Sequence, residues 1–296
     1  MLSLEMLAEL QQWHEEALRA RVAEFAIGAT QFDFNTRPAI MGVVNLSRDS
    51  WYRESVSPSS AAAAKRARVL AAQGAQIIDI GVESTLAHAE RFGEHQQITA
   101  LRPVLEELRG DQLILSIETY EPEVARAVLK LGANVINLTG PAKSDDVYIA
   151  VAEHDAAVII CYVEGSNVRE VSDFNLTGDP IPRMHEFFAR EIERATARGV
   201  RKIFIDPGLG FYYRNLQDSS VRVKHQMLTF LNTFRLRALG WPVCHALPHA
   251  FDYFQEEVRS AEPFFAVLAA LGKTDLFRTH EVPKVRAVLD TLETIR

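Results

Sequence analysis

Apolar residues near the start of the chain, Leu4, Leu7, Leu10, Leu18, Val22 and Phe25, recur largely every three or four positions with Glu and Arg between them. That period predicts an amphipathic helix over 3–27 packed against the main body. Arg37 and Pro38 break it. From Ala39 onward, short β-branched runs alternate with longer stretches of helical period. The runs are AIMGVV at 39–44, QIIDIG at 76–81, LILSIET at 113–119, NVINL at 134–138, AVIICYV at 157–163, KIFIDPG at 202–208, PVCHAL at 242–247 and TDLFR at 274–278. The last is poor in β-formers. Helical patterns lie between them at 61–73, 100–109, 122–131, 145–154, 182–198, 223–239 and 262–271. Gly74, Gly132, Gly199, Gly240 and Gly272 follow helical runs and suit the left-handed position just past a helix end.

Strands that each feed a helix form a parallel sheet covered on both faces, and eight repeats in about 240 residues fit a closed barrel better than an open sheet. The expected fold is α/β, a (β/α)8 TIM barrel over 37–296 with an N-terminal helical extension, an amphipathic helix and linker over 1–36. An open dinucleotide-binding sheet would carry G-x-G-x-x-G after its first strand. That turn reads NLSRDS, and no P-loop occurs.

Hydrophobic residues at 48% and charged residues at 24% describe a folded domain rather than a disordered chain. Lys and Arg total 32 against 39 Asp and Glu, a formal charge of -7, so there is no global basic field for nucleic acid or an anionic membrane. Uncharged apolar stretches such as 156–163 are far short of the ~20 residues of a membrane span. Glu5 and Glu9 stand where a secretory signal would carry Lys or Arg, so a cytoplasmic setting is expected. Cys161 and Cys244 sit inside apolar runs and read as packing thiols in a reducing compartment. No H-x-H, H-E-x-x-H or C-x-x-C spacing announces a built-in zinc site.

Candidate chemistry lies where such a barrel collects it, at the carboxyl ends of the strands. Those positions hold Asn45, Asp79, Glu118, Asn137, Asp206, His245 and Arg278, with His280 behind the last. Any one of them could cap a local turn. A mouth lined only by capping groups would leave several carboxylates desolvated without partners, so together they point to a polar ligand. Asp79 and Asp206 as acceptors, with Asn137 as donor and acceptor, suit a heterocycle bearing amino and lactam groups. Arg278 suits stacking on its ring or pairing with an anion. A Mg²⁺ ion held jointly by Asn45 and a substrate phosphate fits an ion that takes few protein ligands.

These residues sit in segments that resemble the dihydropteroate synthase family of pterin-binding barrels: IMGVVNLSRDSW at 40–51, IIDIGVEST at 77–85, LSIETYEPEVARAVLKLGANVINLTG at 115–140, IDPGLGF at 205–211 and RTHEV at 278–282. The resemblance implies that Asp79, Glu118, Asn137, Asp206 and Arg278 hold a pterin. It implies that Asn45 lies beside a metal and a diphosphate, that His280 contacts an anion, and that Asn45, Arg278 and His280 serve catalysis. The implied reaction, a step of folate biosynthesis, joins a hydroxymethyl-dihydropterin diphosphate to an aryl amine with Mg²⁺ stabilising the leaving diphosphate. Whether the chain forms a homodimer stays open.

The chain departs from the family pattern at four places. Leu86, Ala87 and His88 follow E-S-T where Arg, Pro and Gly are usual, and Tyr212 and Tyr213 follow D-P-G-x-G-F where Gly and Lys are usual. Pro248, His249 and Ala250 align with a Ser-Arg-Lys motif, and Glu118 replaces Asp. Arg48, Arg53, Arg91, Arg214 and His249 are candidates to replace the lost cations, and Trp51, Tyr52, Tyr212 and Tyr213 add aromatic surface that either meets a different second substrate or covers a barrel or subunit face. Two alternatives stay open: a methyltransferase using reduced folate or methanopterin, and a non-catalytic pterin-binding homologue.

Overall fold

The computed structural model describes residues 2–47, 56–57, 59–83, 91–171, 173–176, 178–211 and 213–295, Arg214 by its backbone. Helices α1 (Leu4–Trp13) and α2 (Glu15–Leu18) come first, then an antiparallel hairpin of β1 (Phe25–Ile27) and β2 (Thr30–Phe32). The barrel follows as β3 (Ala39–Asn45), α3 (Ser60–Ala72), β4 (Ile77–Gly81), α4 (Glu94–Leu108), β5 (Ile114–Thr119), α5 (Pro122–Lys130), β6 (Val135–Leu138) and α6 (Ser144–Glu153). It continues with β7 (Ala157–Cys161), α7 (Ile181–Ala197), β8 (Ile203–Asp206), α8 (Ser219–Leu236), β9 (Cys244–Ala246), a single turn α9 (Phe251–Phe254), α10 (Ala261–Leu271), β10 (Leu276–Thr279) and α11 (Val282–Glu293).

The strand order β8-β7-β6-β5-β4-β3-β10-β9 is parallel throughout, and a parallel bridge between Ile205 and Val243 joins its two ends. The expected (β/α)8 barrel is therefore the observed one. Strand alternation sorts the side chains. Ile40, Ile78, Leu115, Ile136, Val158, Ile203 and Phe277 pack outward into the helix layer, whereas Met41, Ile77, Ile114, Val135, Ile159, Phe204 and Leu276 fill the interior.

The first helix ends at Trp13 rather than running on to 27. Gly28, at φ +57, makes the hairpin turn that the helical reading of Val22 and Phe25 passed over. Val22, Phe25, Ile27, Phe32 and Phe34 plug the amino end of the barrel, and Phe25 and Phe34 meet Phe204 edge-on at 5.2 and 5.3 Å. Their spacing served a strand pair against a core, not a helix. Gly272 also differs from expectation, with φ −82; Lys273 takes the left-handed turn instead at φ +63. Helix α4 starts earlier than its apolar period shows, because Gln96 Oε1 accepts the Gly93 N–H and closes the first turn.

Candidate active site

The inward rows that are apolar at the plugged end turn polar at the carboxyl end. Asn45, Glu118, Asn137, Asp206 and Arg278, from five strands, line one open cleft with His280 just beyond β10. Asp79 lies one layer deeper and is fully buried. It accepts Ser116 Oγ at 2.6 Å, Asn137 Nδ2 at 3.1 Å and Arg278 Nε at 2.7 Å. Arg278 Nη2 donates to Glu118 Oε2 at 2.7 Å. Asp206 Oδ1 accepts the Gly208 N–H at 2.8 Å, where Gly208 at φ +75 presses close to the Tyr162 carbonyl and leaves no room for a Cβ.

Three acids thus face one guanidinium. Burial pushes Glu118 up to about 7, which Arg278 only partly offsets, and burial pushes Asp206 up to about 6 against the Gly208 N–H and Arg278. Burial by itself would lower Arg278, but Asp79 and Glu118 reverse that and fix its charge. The floor is rich in acceptors and short of donors, so it favours a ligand that presents several N–H groups.

The rest of the cleft differs in character. Leu209, Phe211, Leu247, Pro248 and Phe251 make an apolar side wall. The cysteines do more than pack: Cys161 Sγ donates to Asn137 Oδ1 at 3.3 Å, and Cys244 hydrogen-bonds Asp206. Burial raises both thiols well above their ordinary range, so neither is a nucleophile at neutral pH.

His245 does not join the site. It pairs in register with the outward-facing Phe277 and is fully buried behind the sheet, where its Nε2 meets Thr233 Oγ1 at 2.8 Å and its ring meets Phe230 at 4.8 Å. One step along a strand changes the face. Tyr213 is likewise part of the core, 4.9 Å from Phe174, with its hydroxyl accepting the Glu164 N–H. Arg91 lies on the surface near Glu170 at 3.7 Å. His249 does enter the cleft. Arg48, Trp51, Tyr52, Arg53, Leu86, Ala87, His88 and Tyr212, with the side chain of Arg214, lie outside the described residues.

Sequence reasoning passed over Glu83, Thr139, Arg222 and Gln226 in the cleft and Glu262 behind it. Gln226 of α8 donates to the Leu209 carbonyl at 3.0 Å, and its buried Oε1 accepts no hydrogen bond among the described residues. Glu262 of α10 is fully buried behind His249 and His280. Its signal was present: with Phe265, Ala266 and Ala269 it occupies the apolar i, i+3, i+4, i+7 face of a helix otherwise almost free of charge.

Residues 41–247 match the sequence profile of a family described as pterin binding enzyme. A dihydropteroate synthase of Synechocystis is 27% identical over 282 residues, 91% of this chain and 94% of that protein. A Mycobacterium tuberculosis protein named inactive dihydropteroate synthase 2 is 31% identical over 276 residues, 88% of this chain and 83% of its own length. Among solved structures, Xanthomonas albilineans dihydropteroate synthase with 4-aminobenzoic acid superposes with a TM-score of 0.75 at 27% identity, over 90% of this chain and 94% of that one. Among the described residues no helix is long and apolar enough to cross a membrane.

Proposed function

Because this chain belongs to the pterin binding enzyme family, we propose that it is a dihydropteroate-synthase-like transferase, joining a hydroxymethyl-dihydropterin diphosphate to an aryl amine. The observation that carries the reading is the convergence of Glu118, Asn137, Asp206 and Arg278 on one cleft whose floor has more acceptors than donors. An aminopyrimidinone edge supplies the N–H groups that the floor lacks. Asp206 and Asn137 would take that edge, with Asp79 holding Asn137 and Arg278 in place from below. Asp79 and Glu118 grip Arg278 by its edge, a pairing that keeps the flat guanidinium face available for stacking on the ring.

In the transfer, the amine nitrogen lone pair forms a bond to the pterin methylene carbon, and the carbon–oxygen bond breaks with its electrons leaving on diphosphate. The amine then loses a proton to solvent. The apolar wall of Leu209, Phe211, Pro248 and Phe251 suits an aryl ring, and His280 at the rim suits an anionic group.

Mg²⁺ fits under one condition. Asn45 offers a single neutral oxygen, while nearby Glu118 is bound to Arg278 and Glu83 accepts the Phe92 N–H and the Tyr120 hydroxyl. An ion content with one protein ligand, waters and a substrate diphosphate matches that donor set. When bound it would offset charge on the departing diphosphate.

The likeness to a relative named inactive, with Pro248, His249 and Ala250 in place of Ser-Arg-Lys, favours one other reading, a pterin-binding protein without turnover. Pyrophosphate release decides between them. Incubation with hydroxymethyl-dihydropterin diphosphate, Mg²⁺ and para-aminobenzoate, or a panel of other aryl amines, is expected to release pyrophosphate in step with amine consumption. Binding without release from any amine would rule out the transfer and leave the protein without this turnover as the reading to pursue.

A further inference from the structure

His249, Glu262 and His280 reach one point from three separate segments: the loop after β9, the first turn of α10, and the loop after β10. Their ligand atoms all lie within 4.8 Å of one another. Glu262 Oε1 stands 2.8 Å from His280 Nδ1 and 3.1 Å from His249 Nε2. The other oxygen, Oε2, is held from behind by the Thr279 hydroxyl and by the N–H groups of His280 and Glu281 at 3.0 and 3.1 Å. Oε2 is the anchored oxygen, while Oε1 faces two imidazole nitrogens and a longer approach of the His280 N–H at 3.3 Å.

We propose that His249, Glu262 and His280 form a binding site for a divalent transition-metal ion at the rim of the cleft, separate from the position beside Asn45. A four-coordinate ion with bonds of 2.0 to 2.1 Å spaces its ligands about 3.3 Å apart. The two separations from Oε1 need to open by a few tenths of an ångström, while the two imidazole nitrogens, within 4.8 Å of each other, would settle toward the same spacing. Two imidazoles and a carboxylate suit Zn²⁺ and its neighbours rather than Mg²⁺, which prefers all-oxygen sites. The donors at Oε2 do what supporting groups do around metal carboxylates, fixing which oxygen faces the ion.

The burial pattern sets the open side. Glu262 is fully buried, whereas both histidines line the cleft, so three protein ligands close the inner side and leave a coordination position toward the cleft. That position would take water or an anionic oxygen of a bound ligand. The ion would also leave a net positive centre, two charges against one carboxylate, close to where the family pattern places the lysine missing here.

Cobalt gives a direct test, since low-coordinate Co²⁺ has visible absorption bands independent of catalysis. Full-length protein stripped of metal is titrated with Co²⁺, then with Zn²⁺ as competitor. The expected result is one Co²⁺ per chain with those bands, displacement by Zn²⁺, and at least about a tenfold weaker affinity in Glu262→Gln and His249→Ala. Asn45→Ala is expected to keep the cobalt bands, which separates this site from the Mg²⁺ position. His249 lies on a loop, so its variant carries the test should Glu262→Gln fail to fold. No cobalt band in the wild type, or bands unchanged in His249→Ala, would show that the cluster is a hydrogen-bonded anchor and overturn the proposal. The titration contains no pterin, so its outcome does not depend on whether the cleft binds one.

Discussion

At Asp206, burial and the Gly208 N–H act in opposite directions and burial prevails, leaving a carboxyl that takes up a proton near pH 6 in the free protein. A ligand donating N–H groups needs the ionised form. Pterin affinity measured by calorimetry is therefore expected to fall below pH 6, by up to about tenfold per unit, and to be nearly flat above it. Glu118 leads to a stability effect. Its folded-state value of about 7 lies above the ordinary ~4.3, so the folded state holds the proton more tightly and its contribution is full at low pH. Stability is expected to decline between about pH 4.3 and 7, and denaturant midpoints across that window should decline less in Glu118→Gln. An equal decline in the variant would place the titration elsewhere.

Strand by strand, the barrel was legible because period-two alternation and the strand-then-helix order are local properties, and each of 39–44, 76–81, 113–119 and 134–138 lies within a residue or so of an observed strand. What failed needed partners distant in sequence. Val22 and Phe25 fit a helical period as well as an extended entry to the barrel, and only the packing of Phe25 on Phe204 within the cluster that holds both decides. Phe25→Ala is expected to cost about 3 kcal/mol in chemical denaturation while pterin affinity holds, because it opens the plugged end and leaves the cleft intact. The polar row was readable from strand-end position, yet the inward and outward parity of β9 was not, which is why His245 was counted with the site. His245→Ala should lower stability by roughly 1 to 3 kcal/mol through lost packing and its bond to Thr233, with no change in ligand affinity. Glu262 escaped because its histidine partners lie 13 residues before it and 18 after, a proximity that only barrel closure creates.

For the whole molecule, the division of labour runs along the barrel axis: an aromatic plug at one end, an apolar interior, and a floor of acids and one guanidinium at the other. Packing is concentrated in the first two, and the proposed recognition belongs to the last. The most direct test is a calorimetric titration of hydroxymethyl-dihydropterin into the wild type and Asp206→Asn at pH 7.5, with circular dichroism on both. One ring bound per chain is expected, weakened at least about tenfold in the folded variant, as befits loss of a charged hydrogen-bond acceptor. No binding to the wild type, or equal binding to a folded Asp206→Asn, would contradict the assignment of the strand-end row as a pterin site.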